Sequence, residues 1–164
     1  MKFTFVENLF IALAVFVFGI MAGFFWTYTF NVNLAMLAVD GATYATVQSL
    51  LNQNVRHLMF FAFFFGGGAV PIIALAVNWR HWKSLSFLLL AVACVVYIGG
   101  IIIFTRQVNL PLNYYTESWE PQNLPADWAA IRAQWNQANA FRVGAAGLSF
   151  ALGLGALVNP SRNK

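Results

Sequence analysis

The chain reads as an all-α integral membrane protein: a four-helix bundle with a helical first outer connection and an irregular second outer loop rich in Pro, Asn and Trp. Three observations predict this. Of 164 residues, 60% are hydrophobic and only 9% charged, against roughly 25% charged in soluble domains. Four apolar runs, at 9–30, 58–77, 85–104 and 141–158, are close to the ~20 residues that cover a bilayer core. The connections between them are too short for a separate soluble unit, so residues 1–164 form a single four-span membrane domain.

The first run follows Lys2, as a signal peptide would. It is too long for one and ends in Phe24-Phe25-Trp26 instead of a small-residue cleavage site, so it is a retained span. Gly19 and Gly23, with Ala22 between them, let another helix approach closely. Whether that partner belongs to the same chain or to a second copy stays open. The run leaves the membrane through Trp26, Thr27, Tyr28 and Thr29, an interfacial aromatic and hydroxyl cluster.

Asp40-Gly41-Ala42-Thr43 is a helix start with Asp40 as its cap. The pattern carries this helix through Gln48, Asn52 and Arg56 into the second span without a breaker. That span is rich in Phe and then reads Gly66-Gly67-Gly68 with Pro71 beyond, a packing kink. Residues 78–83 make a short turn, forcing spans two and three antiparallel, with His81 as a solvated turn residue. The third span is β-branched (Val92, Val95, Ile101, Ile103), yet in lipid it must be helical because a lone strand leaves its backbone unpaired. After Arg106, Pro111 ends the helix, and Pro121 and Pro125 keep the next stretch irregular. The last helix starts near Asp127.

Charge sets orientation and excludes several functions. Lys2, Arg80, Lys83, Arg162 and Lys164 fall on one side, and Asp40, Glu117, Glu120 and Asp127 on the other. By the positive-inside rule both termini are cytoplasmic. The absence of any Asn-x-Ser/Thr site free of proline favours a bacterial inner membrane. The net charge of +4 is dispersed, so no nucleic-acid partner is expected. Cys94 has no partner in the chain, which excludes dithiol chemistry. The two histidines, His57 and His81, fall on opposite sides and carboxylates are sparse, so no metal site is expected. No inverted repeat and no acidic residue inside a span argue against transport.

The strongest functional signal is a stripe on the last helix. Trp128, Arg132, Trp135, Asn139 and Arg142 recur at spacings of three or four and share one face. Beyond Arg142 that face is small, with Ala146, Ser149 and Gly153. A guanidinium at the edge of hydrocarbon is costly unless it meets a partner, a ligand or water.

Two stretches carry a family resemblance. One is Ala22-Gly23-Phe24-Phe25 followed by Asn52-Gln53-Asn54-x-Arg56 and the Phe-rich span. The other is Asn109-Leu110-Pro111-Leu112-Asn113, then Trp128 and Trp135-Asn136-x-x-Asn139-x-x-Arg142. Together, over about 18–157, they resemble the anthrone oxygenase family of small four-span membrane proteins. The resemblance implies oxidation of anthrones to anthraquinones without metal or flavin, hence no cofactor.

Two readings of the stripe follow. In the first, the chain is a cofactor-independent oxygenase acting on a flat phenolic, anthrone-like substrate in a pocket at the outer face. Arg142 and Arg56 would stabilise the substrate anion and His57 would be the base. Asn52, Asn109, Asn113 and Asn139 would position oxygens, and Trp128 and Trp135 would sandwich the ring. In the second, it is a non-enzymatic membrane module that binds lipid or a quinone-like molecule, or a small accessory subunit of a membrane complex. The same stripe then ties the outer loop to the bundle, with Arg142 bonded to Asn109 and Asn113 carbonyls. Membrane lipid and a hydrophobic small molecule are the expected partners, and a homo-oligomer or a larger membrane complex is compatible with the glycine spacing. A closed, aromatic-walled cavity lined by Arg142 would favour the first reading.

Overall fold

The structure, a computed structural model, describes residues 3–159. Lys2, Arg162 and Lys164, which contribute to the predicted orientation, lie outside them. Helix α1 (Phe5–Leu37) opens on a capping box: Thr4 accepts from the Glu7 amide at 3.3 Å while the Glu7 carboxylate accepts from the Thr4 amide at 2.6 Å. Helix α2 (Gly41–Asn54) is capped by Asp40, which accepts from the Thr43 amide at 2.9 Å. Helix α3 (Leu58–Val77) follows. Helix α4 (Leu85–Glu117) is capped by Ser84, and α5 (Trp128–Val158) is entered through Asp127. Helices α1, α3, α4 and α5 are long and apolar enough to cross a membrane.

These four close a ring. Helix α1 packs on α3 and α5, and α4 fills the remaining place between them. The core runs down the centre through Ile11, Phe18, Phe25, Leu90, Tyr97 and Ile101. Outward-facing Phe16, Ile72, Val95 and Leu148 stay exposed, as a lipid-facing surface requires. Lipid offers no hydrophobic drive for helix association, so close backbone approach does that work. A Cβ on Gly67 would overlap the Tyr97 ring, whose hydroxyl donates to the Phe64 carbonyl at 3.0 Å. Pro71 lies within α3, which runs uninterrupted from Leu58 to Val77, and Gly67 and Gly68 sit at close helix contacts. A Cβ on Gly19 would come within 3.0 Å of Phe150, so this glycine packs inside the chain, whereas one on Gly23 would meet nothing within 4 Å.

Three local expectations are corrected. The helix from Asp40 does not run into the second span: it stops at Asn54, the chain turns through 55–57, and His57 starts α3 by accepting from the Phe60 amide at 3.3 Å. Pro111 does not end the third helix. It falls in the first turn of a fresh α-helical stretch, Leu110–Glu117, directly after a π-helical turn, Thr105–Asn109. The proline has no amide to pair, and the wider turn before it absorbs the ring. The irregular loop is therefore confined to 118–127. His81 is no solvated turn residue either: it is buried, stacked on Phe3 at 3.9 Å, with Nε2 3.3 Å from the Glu7 carboxylate.

Candidate functional site

The polar stripe of α5 points into the bundle at the end covered by α2. Trp135, Asn139 and Arg142 are all buried. The Arg142 guanidinium donates to Asn139 Oδ1 at 2.7 Å and reaches Thr105 Oγ1 on α4 at 3.5 Å. Its flat face lies 4.7 Å from the Phe25 ring centroid and 5.6 Å from that of Trp135. The Asn139 amide in turn donates to Thr29 Oγ1 at 2.7 Å and to the Phe25 carbonyl at 3.2 Å. Three spans thus converge on one cation.

A second chain of hydrogen bonds roofs this core. Tyr28, its ring 4.5 Å from that of Trp135, donates to Gln48 Oε1 at 2.6 Å. The Gln48 amide donates to Asn52 Oδ1, Asn52 to Thr116 Oγ1, and Thr116 to the Asn113 carbonyl, over 3.0, 3.1 and 3.0 Å. Trp135 Nε1 donates to Asn113 Oδ1 at 2.6 Å. Above the roof, Tyr44, Trp119 and Trp128 form an aromatic cap with Met36, and Arg132 stacks on Tyr44 and Trp128. Burial pushes the Tyr44 hydroxyl up to about 12, with the Arg132 charge opposing.

Antiparallel α4 and α5 are registered by two contacts, Thr105 with Arg142 and Asn113 with Trp135. Asn109 sits midway between them on α4. It is fully buried, yet neither side-chain Nδ2 nor Oδ1 has a partner, and Arg142 Nε also lacks one. Buried polar groups are almost always satisfied. Asn109 is one helical turn from Thr105, the α4 residue that Arg142 reaches, so unpaired donors and an acceptor lie at the same end of the bundle. Tyr28, Thr29, Thr105 and Asn109 all belong to π-helical turns (Tyr28–Val32, Thr105–Asn109), and a third, Ile98–Ile103, lies one residue away. Such turns widen a helix locally and recur at functional sites.

The predicted residues therefore divide. Arg142, Asn139, Trp135, Asn113, Asn109 and Asn52 come together. Trp128 belongs to the cap above them. Arg56 and His57 are exposed: Arg56 pairs with Glu117 and lies over Tyr114 at 5.6 Å, and His57 serves as the helix cap of α3. No Asp or Glu is paired with Arg142 among the described residues. Sequence reasoning missed Tyr28, Thr29, Gln48, Thr105 and Thr116. The first two stood in the aromatic–hydroxyl cluster leaving span one, and Gln48 precedes Asn52 by one helical turn. Thr105, Asn109, Asn113 and Thr116 recur at three or four, a periodicity hidden by the assumption that Pro111 broke the helix.

Arg142 bonds to the Asn139 and Thr105 side chains, not to the Asn109 or Asn113 carbonyls, and it is buried. Two grooves run along the lipid-facing side of the α4–α5 seam. One, about 490 Å³, holds Phe104, Gln107, Pro111, Gln134, Gln137 and Phe141 among its walls. The other, about 520 Å³, continues toward the membrane centre past Gly99, Gly144 and Leu148, with Phe141 shared.

The family model of the anthrone oxygenases (Anthrone oxygenase) matches residues 55–152, well over half of the chain. No curated protein and no solved structure matches it.

Proposed function

Since the chain belongs to the anthrone oxygenase family, we propose that it is a membrane oxygenase that oxidises a flat phenolic, anthrone-like ketone whose oxygen Arg142 and Asn109 hold, using no resident cofactor. One observation carries this reading: a buried guanidinium with no carboxylate partner, at the same end of the bundle as a buried amide with no partner at all. A fixed positive charge in a dry setting stabilises developing negative charge far better than water does.

The chemistry closes without further electron carriers. Loss of a proton from the methylene carbon gives an enolate whose oxygen Arg142 and the Asn109 amide hold. The carbanionic carbon attacks molecular oxygen and forms a C–O bond, and proton uptake gives a hydroperoxide. Breaking its O–O bond with loss of the remaining C–H proton releases water and leaves the quinone carbonyl. One ketone and one oxygen molecule yield one quinone and one water. Trp135 and Phe25 would flank the ring. With Arg56 and His57 on the surface, the acidity of the substrate itself, raised by Arg142, takes the place of a strong protein base.

The test is oxygen uptake and quinone formation from 1,8-dihydroxyanthrone by the protein in lipid nanodiscs. Arg142→Met, with helicity retained by circular dichroism, should lower the rate above background by ~100-fold or more, the usual cost of removing an oxyanion donor. Arg142→Lys should not restore it, because a point charge cannot reproduce the planar fork. Wild-type rates in both variants, or no oxygen uptake by the native chain, would remove the oxygenase reading. Binding of the ketone without oxygen uptake would leave the quinone-binding module as the function.

The cations of the 78–83 turn lie at the end opposite α2, in keeping with cytoplasmic termini in a bacterial inner membrane. Reporter fusions at either end test that orientation.

A further inference from the structure

We propose that the outer groove on the α4–α5 seam is a membrane-side binding subsite for the flat phenolic ketone, and that the Phe104–Phe141 ring pair is the door between it and the Arg142 site. The proposal rests on the oxygenase reading and deepens it. Arg142 and Asn109 are buried, so a guest must pass something that moves. From the α2 end the way is closed by the Tyr28–Gln48–Asn52–Thr116 chain and by the Tyr44–Trp119–Trp128 cap.

The seam is different. The Phe104 and Phe141 rings pack against each other, centroids 4.3 Å apart and tilted by 33°, and each immediately precedes in sequence a residue of the inner site, Thr105 and Arg142. Both grooves touch Phe141, so open space flanks the ring pair above and below. The α4 backbone is π-helical on either side of Phe104, at Ile98–Ile103 and Thr105–Asn109. Such turns interrupt the regular i→i+4 ladder and are frequent at functional sites.

The walls also select a guest. Gln107, Gln134 and Gln137 are exposed at one rim of the outer groove, while Phe104, Phe141 and Pro111 supply flat apolar faces. Three amides beside packed rings suit a fused aromatic ring system with carbonyl or hydroxyl oxygens along one edge. An acyl chain would leave those amides unanswered, and a second copy of the chain would have to bury them. The compound partitions into the bilayer, lies against the rings with its oxygens on the glutamines, and slides past Phe104 and Phe141 to Arg142.

Photolabelling decides this. A hydrophobic anthraquinone, which abstracts hydrogen on irradiation and couples to what lies nearest, is added to the protein in phosphatidylcholine nanodiscs. Adducts are mapped by peptide mass spectrometry. The proposal expects labelling concentrated on the 104–112 and 134–141 segments. It should persist in Arg142→Met, where the inner site is lost, and should fall at least ten-fold in Leu112→Trp, which fills the groove from its half-buried wall. Leu112→Trp should also raise KM for 1,8-dihydroxyanthrone about ten-fold with kcat within two-fold. Labelling spread evenly over the lipid-facing helices, or full labelling of Leu112→Trp, overturns the proposal even if turnover is intact. Focused labelling with no turnover upholds the subsite and removes the oxygenase reading alone.

Discussion

Arg142 and Asn139 lie one turn apart on α5 and act as a unit: the guanidinium donates to the Asn139 oxygen at 2.7 Å, while the Asn139 nitrogen donates across to Thr29 and the Phe25 carbonyl on α1. Asn139 is thus the hinge between a buried charge and the neighbouring span. Asn139→Leu keeps the volume but leaves the cation with only its long contact to Thr105. A hydrogen bond to a charged group contributes about 1.5–3 kcal/mol, so the variant should lose on the order of 3 kcal/mol. Adding Arg142→Met should restore much of it, because the charge that needed the acceptor is gone. Thermal unfolding in detergent of the two single variants and the double variant measures this coupling. Additive losses would show that the two side chains act separately.

His57 caps α3. Its Nδ1 accepts from the Phe60 amide at the first turn of α3, on an exposed surface. His57→Ala should leave anthrone oxidation within two-fold of the native rate and cost about 1 kcal/mol, the usual loss on removing a helix cap. His57→Ser should recover that stability. A rate loss of ten-fold or more in both variants would return the histidine to the chemistry.

The fold was legible because hydrocarbon leaves few choices. Four apolar runs, the Asp40 cap and the Asp127 start all stand as the sequence indicated, since each depends on local composition or a single capping side chain. Of the three misjudged places, the stop of α2 at Asn54 carries no breaker residue, and the other two depend on tertiary context. Pro111 stays helical because a π-turn before it relieves the clash, and nothing in the sequence marks such a turn. His81 is buried because Glu7, seventy-odd residues away, supplies the partner. The site was half legible: the α5 stripe carries helical periodicity, whereas its complements on α1, α2 and α4 are ordinary Tyr, Thr and Gln residues whose meaning comes from packing. Asn109 was found, but its lack of partners appears only in three dimensions.

Gly67 is a packing requirement. A Cβ there would overlap the Tyr97 ring, which is itself fixed by its bond to the Phe64 carbonyl. Overpacking of a well-filled core costs typically 1–3 kcal/mol, and Gly67→Ala should fall near the upper end, about 3 kcal/mol. Gly66→Ala meets only Val17 at 3.8 Å, ordinary contact, and should be neutral or mildly stabilising. Melting temperatures of the two adjacent variants compare the same residue change in one helix. Equal effects would mean that helix propensity, not the Tyr97 contact, sets the cost.

Docking of α2 should depend on pH through Asp40. Its carboxylate accepts from the backbone amide and hydroxyl of Thr43, bonds that hold its pKa below the ordinary carboxylate value of about 4. A carboxyl with a depressed folded pKa contributes stability that is present above the unfolded value and lost as pH falls through the folded one. Amide exchange in the first turn of α2 should therefore be slow at pH 6 and accelerate, relative to other helix starts, below about pH 4. Asp40→Asn, which still caps but does not titrate, should flatten that dependence. An unchanged profile in the variant would place the titrating group elsewhere.

Asn109 offers the sharpest separation of function from stability. Its amide is fully buried with both polar atoms unpaired, and such a group costs about 1–3 kcal/mol in desolvation. If the amide exists to hold a substrate oxygen, Asn109→Leu, similar in volume and needing no partners, should raise thermal stability while lowering anthrone oxidation ten-fold or more. Binding of 1,8-dihydroxyanthrone should weaken in step, and the ketone should no longer protect the variant against heat, since a ligand stabilises only the state it binds. A structural amide would behave in the opposite way: the leucine variant would melt earlier and keep its activity per folded molecule. Measuring melting temperature with and without the ketone, alongside oxygen uptake, decides between a residue kept for its chemistry and one kept for the fold.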